Sequence, residues 1–209
     1  GTSHFFGQKF SEAYDITFTD KDNQLKYVWQ TSWGVTTRMI GAMIMVHGDN
    51  RGLCLPPHIA PTQVMIIPIQ QKKDGVLDKA YELRDRLSSF KVKVDDSDKT
   101  PGYKYAEQEM RGIPLRLEVG PRDIENKVCV LVRRDTLEKI EVSMDEIETK
   151  VAELLDTMQK DMLEKARAHM AAETTEAKTA AEFKAHFEKG NGFVEAMWCG
   201  DRACEDKIK

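Results

Sequence analysis

The sequence has 209 residues, 32% of them charged and 41% hydrophobic, with a formal net charge of −4. That length admits one large domain or one domain with partial neighbours, and the composition suits a chain that buries a real core. No apolar run approaches the ~20 residues of a membrane helix, no signal-peptide pattern opens the chain, and the acidic balance restricts nucleic-acid contacts to local basic patches.

In the first region, residues 1–60, "AYDITFTD" alternates apolar and polar residues and reads as a strand. "KDNQ" is a turn and "LKYVWQTS" a second strand, so the two predict a hairpin. Beyond Gly34 the apolar stretch from Met39 to Val46 predicts a buried helix, closed by the turn Asp49-Asn50-Arg51-Gly52. Pro56, Pro57 and Pro61 make "LCLPPHIAP" a rigid connector.

Residues 61–165 alternate strand and helix patterns. "TQVMIIPI" is apolar on both faces, as in a fully buried strand. Val76, Leu77, Ala80, Leu83, Leu87 and Phe90 recur at helical spacing over residues 76–90. "KVKVDDS" reads as a short strand. "TPGYKYAEQEMRG" reads as a short helix opened by Pro101 and closed by Gly112. "IPLRLEV" alternates strictly and puts Arg116 and Glu118 on one face. "KVCVLVRR" and "KIEVS" are two more strands. Ser143-Met144-Asp145-Glu146 has the form of a capping box, opening a helix whose stripe is Met144, Ile147, Val151, Leu154, Leu155, Met158 and Met162. This alternation predicts a three-layer α/β domain with a mixed or parallel sheet.

In residues 166–209 the pattern predicts a helix over 175–189, a strand or turn at "GFVEAMWCG" and a short helix at "DRACEDKIK". The four cysteines divide in two. Cys54 and Cys129 sit in apolar runs and read as core, whereas Cys199 and Cys204 form a CxxxxC pair in a polar tail. This is the usage of a reducing, cytoplasmic compartment. On spacing alone the pair is either a packed corner beside Trp198 or half of a metal site.

Arg38 stands at the start of an apolar helix, where a cation is electrostatically misplaced unless an anion is bound there. His4 by itself reads as a loop histidine. "EVGPRD" reads as a charged turn, yet Arg122 and Asp123 follow a buried strand, at the end where α/β sheets place their sites.

Three stretches together carry a family pattern. "TSWGVTTRMIGAMIMVHGDNRGLCLPP" resembles motif 3 of the class II aminoacyl-tRNA synthetases. "GTSHFFGQKF" followed by that motif resembles the prolyl-tRNA synthetases in particular, in the form found in archaea, eukaryotes and some bacteria. "GIPLRLEVGPRD" resembles the anticodon-binding domain of the prolyl, threonyl, histidyl and glycyl enzymes.

The resemblance implies three parts. Residues 1–60 would be the end of an antiparallel class II catalytic sheet with motif 3. Residues 61–165 would be a three-layer α/β/α anticodon-binding domain, and 166–209 part of an α+β C-terminal zinc-type domain. It implies ATP-dependent attachment of L-proline to tRNA(Pro), with prolyl-adenylate formed first. ATP would act with Mg2+, and the family enzymes are homodimers.

Arg38 matches the motif 3 arginine at the γ-phosphate, where a permanent guanidinium steadies developing phosphate charge. Thr2, His4, Trp33, Gly34 and Thr36 match proline-pocket positions. Gln30, Thr31 and Thr37, with Arg38, match the ATP side. Tyr105, Glu109, Arg116, Arg122, Asp123 and Arg134 match anticodon-reading positions, where stacking and base-edge hydrogen bonds read single-stranded bases. Lys72, Lys73, Lys91, Lys93 and Arg133 would add phosphate contacts. Cys199 and Cys204 match one half of a four-cysteine Zn2+ site. Motifs 1 and 2 and the second cysteine pair would lie outside this sequence, so the resemblance reads it as a fragment, inactive by itself with a weak or empty zinc site. The competing reading is a stand-alone RNA-binding module of the anticodon fold. "TSWGVTTR" speaks against it, because such a module needs no γ-phosphate arginine.

Overall fold

A computed structural model describes residues 1–207. The chain separates into two compact units, Gly1–Val46 and the part from His47 onward.

In the first unit, β1 (Thr2–Gly7) is followed by α1 (Lys9–Ala13), β2 (Thr17–Thr19), β3 (Leu25–Tyr27), β4 (Gln30–Gly34) and α2 (Arg38–His47), whose last residue crosses the division. The expected hairpin forms only in part. β2 pairs antiparallel with β3, while β4 pairs antiparallel with β1 instead of extending the hairpin. The break falls where Gln8 Nε2 donates to Tyr27 O (2.8 Å) and Ser11 Oγ lies 2.7 Å from Val28 O. These side chains occupy carbonyls that a continuous ladder would use, and Ser11 is fully buried in doing so. Of the stretch 13–20 read as a strand, Ala13 ends the helix of residues 9–13 and only Thr17–Thr19 is strand. α2 forms where expected but buries none of its residues, because two-stranded ribbons supply no layer to cover it.

In the second unit the chain runs β5 (Val64–Pro68), α3 (Val76–Arg86), β6 (Val92–Val94), α4 (Pro101–Arg111), β7 (Leu115–Val119), α5 (Pro121–Asn126), β8 (Val128–Arg133) and β9 (Lys139–Ser143). After a 3-10 turn come α6 (Ile147–Ala172), β10 (Thr174–Ala177), α7 (Ala180–Lys189), β11 (Phe193–Ala196) and α8 (Arg202–Asp206). Among the described residues the main sheet has five strands in the order β6-β5-β7-β8-β9. β5 is parallel to both β6 and β7, and β7-β8-β9 are antiparallel, so of the two expected arrangements, mixed or parallel, the sheet is the mixed one.

β5 shows why its run is apolar throughout. Val64 and Ile66 join the large core with Ala80 and Leu83 of α3, Leu87 just beyond it, and Ile147, Val151 and Met158 of α6. Met65 and Ile67 face the other way, into a smaller cluster with Ile113 and Tyr105. Two apolar faces mean helices on both sides, a three-layer arrangement. The α6 stripe predicted from spacing is the buried one: Ile147, Val151, Leu155, Met158 and Met162.

Two glycines fix where the connector lies. The segment Gly52–Leu55 runs along the end of α4, with Leu53 N donating to Met110 O (3.0 Å) and Leu55 N to Gly112 O (3.1 Å). A Cβ at Gly52 would stand 2.6 Å from Met110 Cα, and one at Gly112 2.6 Å from the Leu53 carbonyl carbon. Gly112 also closes α4 at φ +71°, in the left-handed region.

In the tail, the helix expected over 175–189 begins only at Ala180. Thr174–Ala177 instead pairs in parallel with β11. Thr179 caps α7: its Oγ1 accepts from Glu182 N (3.2 Å) while Glu182 Oε2 accepts from Thr179 N (3.1 Å). The Ser143 box opens less regularly, with Ser143 Oγ accepting from Asp145 N (3.3 Å) to start the 3-10 turn Met144–Glu146. The final short helix, α8, starts at Asp201, whose Oδ1 accepts from Ala203 N (2.8 Å). The end of the "DRACEDKIK" helix reading, Ile208 and Lys209, lies outside the described residues.

Candidate functional site

The β1–β4 ribbon sorts the first set of candidates by face. Thr2 lies opposite Gly34, Ser3 opposite Trp33, His4 opposite Ser32 and Phe5 opposite Thr31. Directly paired residues share a face and alternate residues do likewise. Thr2, His4, Gly34 and Gln30 therefore present one surface, and Trp33 and Thr31 the other. The His4 ring stacks parallel to that of Phe6 at 5.6 Å on the first surface. A Cβ at Gly34 would meet no atom within 4 Å, so this position leaves that face open. The Thr36 and Thr37 carbonyls accept from Met39 N (3.1 Å) and Ile40 N (3.0 Å), which starts α2 with Arg38 as its first residue. Arg38 is exposed, and among the described residues it has no hydrogen bond or ion pair.

The second set gathers where β7 meets α4. Arg116 is buried and lies over the Tyr105 ring, with Cζ 4.1 Å from the centroid. Its Nε donates to Glu118 Oε1 (2.9 Å) and its Nη1 to Glu109 Oε1 (3.1 Å). Glu109 also accepts from Arg51 Nη1 through Oε2 (3.0 Å). Burial alone would raise the Glu109 carboxyl, but the hydrogen bonds and charges of Arg51 and Arg116 outweigh it and hold the group below its ordinary range. Tyr105 is pushed up to about 12, by burial first and then by the Glu118 carboxylate.

Arg134 is buried as well. Its Nη1 and Nη2 donate to the two carboxylate oxygens of Asp49 (2.8 and 2.6 Å), and its Nε donates to Glu109 O (2.8 Å). The fork on Asp49 holds that carboxyl well below the usual range. Tyr105, Glu109, Arg116 and Arg134 thus form one network, joined by Asp49 and Arg51. Those two lie in a stretch whose sequence reads only as a turn. The nearest signal was their charge inside "GDNRG".

Arg122 and Asp123 stand apart from this network, on α5. Asp123 Oδ2 accepts from Gly120 N (2.7 Å) and so caps its own helix. Arg122 is exposed and unpaired among the described residues. α5 follows β7 at the end of the sheet where β5, β6 and β7 all terminate. Of the expected phosphate contacts, Lys72, Lys73, Lys91 and Lys93 are exposed. Arg133 is buried against Asp135 and Asp161, with 2.7 Å contacts to each.

Cys199 and Cys204 are both exposed, and hydrogen bonds from the Asp201 backbone and the Cys204 thiol lower the Cys199 thiol. Among the described residues no third His, Cys, Asp or Glu joins them in a metal-holding group. The two thiols fit half of a tetrahedral thiolate site and not a whole one. No helix among the described residues is long and apolar enough to cross a membrane.

Residues 63–154 match the family model of the anticodon binding domain, so the chain contains that module within its second unit. Over all of its 209 residues the chain is 64% identical to the proline–tRNA ligase of Lachnoclostridium phytofermentans, and it covers 44% of that protein. It is 63% identical to the proline–tRNA ligases of Agathobacter rectalis and Lachnospira eligens, again across the whole chain and 44% of each relative. The chain is thus similar to proline–tRNA ligases along its whole length, and it spans less than half of theirs.

Proposed function

We propose that this chain is part of an enzyme that joins L-proline to tRNA(Pro) in two steps, activation of proline by ATP and then transfer to the tRNA. The observation that carries the reading is unbroken similarity to proline–tRNA ligases through both units, at 58–64% identity.

In this reading Thr2, His4 and Gly34 line a proline site on the open face of the β1–β4 ribbon, with Trp33 and Thr36 at its margins. Gln30, Thr31 and Thr37 lie toward ATP. Arg38, without a protein counterion, meets the polyphosphate that arrives with Mg2+. A guanidinium already in place stabilises charge that develops during adenylate formation, without reorganising water. In the second unit, Arg122 reads base edges, and Arg116 and Glu109 do so beside Tyr105. Cys199 and Cys204 supply two thiolates toward a structural Zn2+. The enzyme acts in the cytoplasm as a homodimer.

A stand-alone RNA-binding module would have no use for the unpaired Arg38. Proline-dependent ATP–pyrophosphate exchange and proline charging of tRNA(Pro), measured on the complete gene product, test the reading. Charging of another amino acid, or none, overturns it.

A further inference from the structure

A groove of about 390 Å³ opens at the ends of β5 and β6, between the loop after β5 and the start of α4. Its walls include Gln71, Lys72, Lys73, Asp98, Lys99 and Lys104. The groove lies at the C-terminal ends of the parallel strands β5 and β6, one strand over from the switch point between β5 and β7.

The groove is held open by hydrogen bonds beneath it. Buried Lys104 donates through Nζ to Asp95 O (2.6 Å) and Gln71 Oε1 (3.0 Å). Gln71 Nε2 donates in turn to Asp96 O (3.0 Å) and Ser97 O (3.1 Å). The loops after β5 and β6 are thereby tied to each other.

The charge on its walls runs against that of the chain. Lys72, Lys73 and Lys99 are exposed, and the carboxylate lining the groove is that of Asp98, 3.8 Å from Lys72 in open surroundings. Asp95 is turned toward Lys104 and Gln108. In a chain of net charge −4 this is a local positive site.

Beside it stands an aromatic ring. Tyr103 is 53% exposed, and Lys99 Nζ lies 5.2 Å from its ring centroid. Tyr105, two residues on, is half-buried with one face covered by Arg116. Of the two rings on α4, Tyr103 is the exposed one, with Lys99 over one face and the other available to a flat partner. Cations flanking an exposed aromatic are the elements that hold single-stranded nucleic acid.

We propose that this groove holds one nucleotide of single-stranded RNA next to Arg122, with its phosphate on Lys73 and Lys99 and its base stacked on Tyr103. The inference rests on the reading of the chain as tRNA-binding and adds a subsite to it.

The test is binding of the 209-residue chain to a stem–loop RNA carrying the proline anticodon, across a salt series. Tyr103→Ala should weaken binding by about 5- to 100-fold, and Tyr103→Phe should restore it, because stacking needs the ring and not the hydroxyl. Lys73→Glu with Lys99→Glu should weaken binding at least about tenfold and flatten the salt slope by about 0.7, for the one phosphate left without its lysines. Lys189→Glu, on α7, should leave binding unchanged. Circular dichroism melts report whether each variant is folded. If the parent chain binds the stem–loop while the Tyr103→Ala and double-lysine variants bind equally well, the subsite is wrong and the tRNA reading stands. If the parent chain fails to bind the stem–loop, the tRNA reading fails and the subsite with it.

Discussion

Gly1–Val46 and the part from His47 onward solve the burial problem differently. In the first, Ser11 alone among the described residues is buried, while Phe5, Trp29, Trp33, Val35, Ile40 and Met45 all stay more than half exposed. In the second, Val64, Ile66, Leu83, Leu115, Leu117 and Leu131 are fully buried. The difference follows from architecture and not from composition, since both parts have apolar residues in quantity. A five-stranded sheet with helices on both faces encloses side chains, whereas two-stranded ribbons and short helices cannot.

The largest effects should separate the two parts by activity. In the complete gene product, Arg38→Ala should lower proline-dependent ATP–pyrophosphate exchange by about 10²- to 10³-fold while tRNA affinity is retained. Arg122→Ala should weaken tRNA binding and charging while exchange is spared. Equal loss of both activities in both variants would erase the distinction.

Stability should divide along the same line. Leu117→Ala in β7 should cost about 2–5 kcal/mol in urea unfolding of the chain, from lost burial and the cavity left behind. Ile44→Ala on α2, an exposed position, should cost within about 0.5 kcal/mol. A large loss at Ile44 would show that α2 is covered in solution. Gly112→Ala should fall between them, at about 1 kcal/mol or more, since it combines a left-handed φ with a collision against the Leu53 backbone.

The smallest effect is a pH dependence. Asp49 and Glu109 have carboxyls held below their ordinary values by Arg134, Arg51 and Arg116. A depressed carboxyl contributes stability that is complete above its unfolded pKa, about 4, and is lost as pH falls through its folded value. Thermal melts of the chain should therefore drop as pH is lowered below about 5, and Arg51→Ala should flatten that slope. The change should be modest, because Asp49 is about half exposed and solvent screens the pair. The first unit contributes only the exposed Asp20–Lys26 pair to such a profile.

Several sequence readings reached the structure intact because they depend on local period. The α6 stripe, the alternation of β7 that pairs Arg116 with Glu118, and the Pro101–Gly112 bounds of α4 each follow from residues a few positions apart. Others depended on partners that the pattern does not show. The stretch "LKYVWQTS" looks continuous, yet it splits because Gln8 and Ser11 take its carbonyls. The stretch "TTEAK" reads as the start of a helix, yet Thr174–Ala177 is a strand because β11 pairs with it. The candidate site was legible as a set of residue types and as a resemblance. Its division into buried network and free cations was not.

By itself the sequence determined a strand–helix alternation with a mixed or parallel sheet, a long helix opened at Ser143, an arginine at the head of an apolar helix, and a resemblance to the prolyl-tRNA synthetases. Tertiary structure decided which charged groups remain available. Arg134 meets Asp49 from 85 residues away, Arg116 covers Tyr105, and Tyr103 and Arg122 are left open. The reason is physical: periodicity records which face of an element is apolar, while the pairing of a charge depends on which distant segment packs against it.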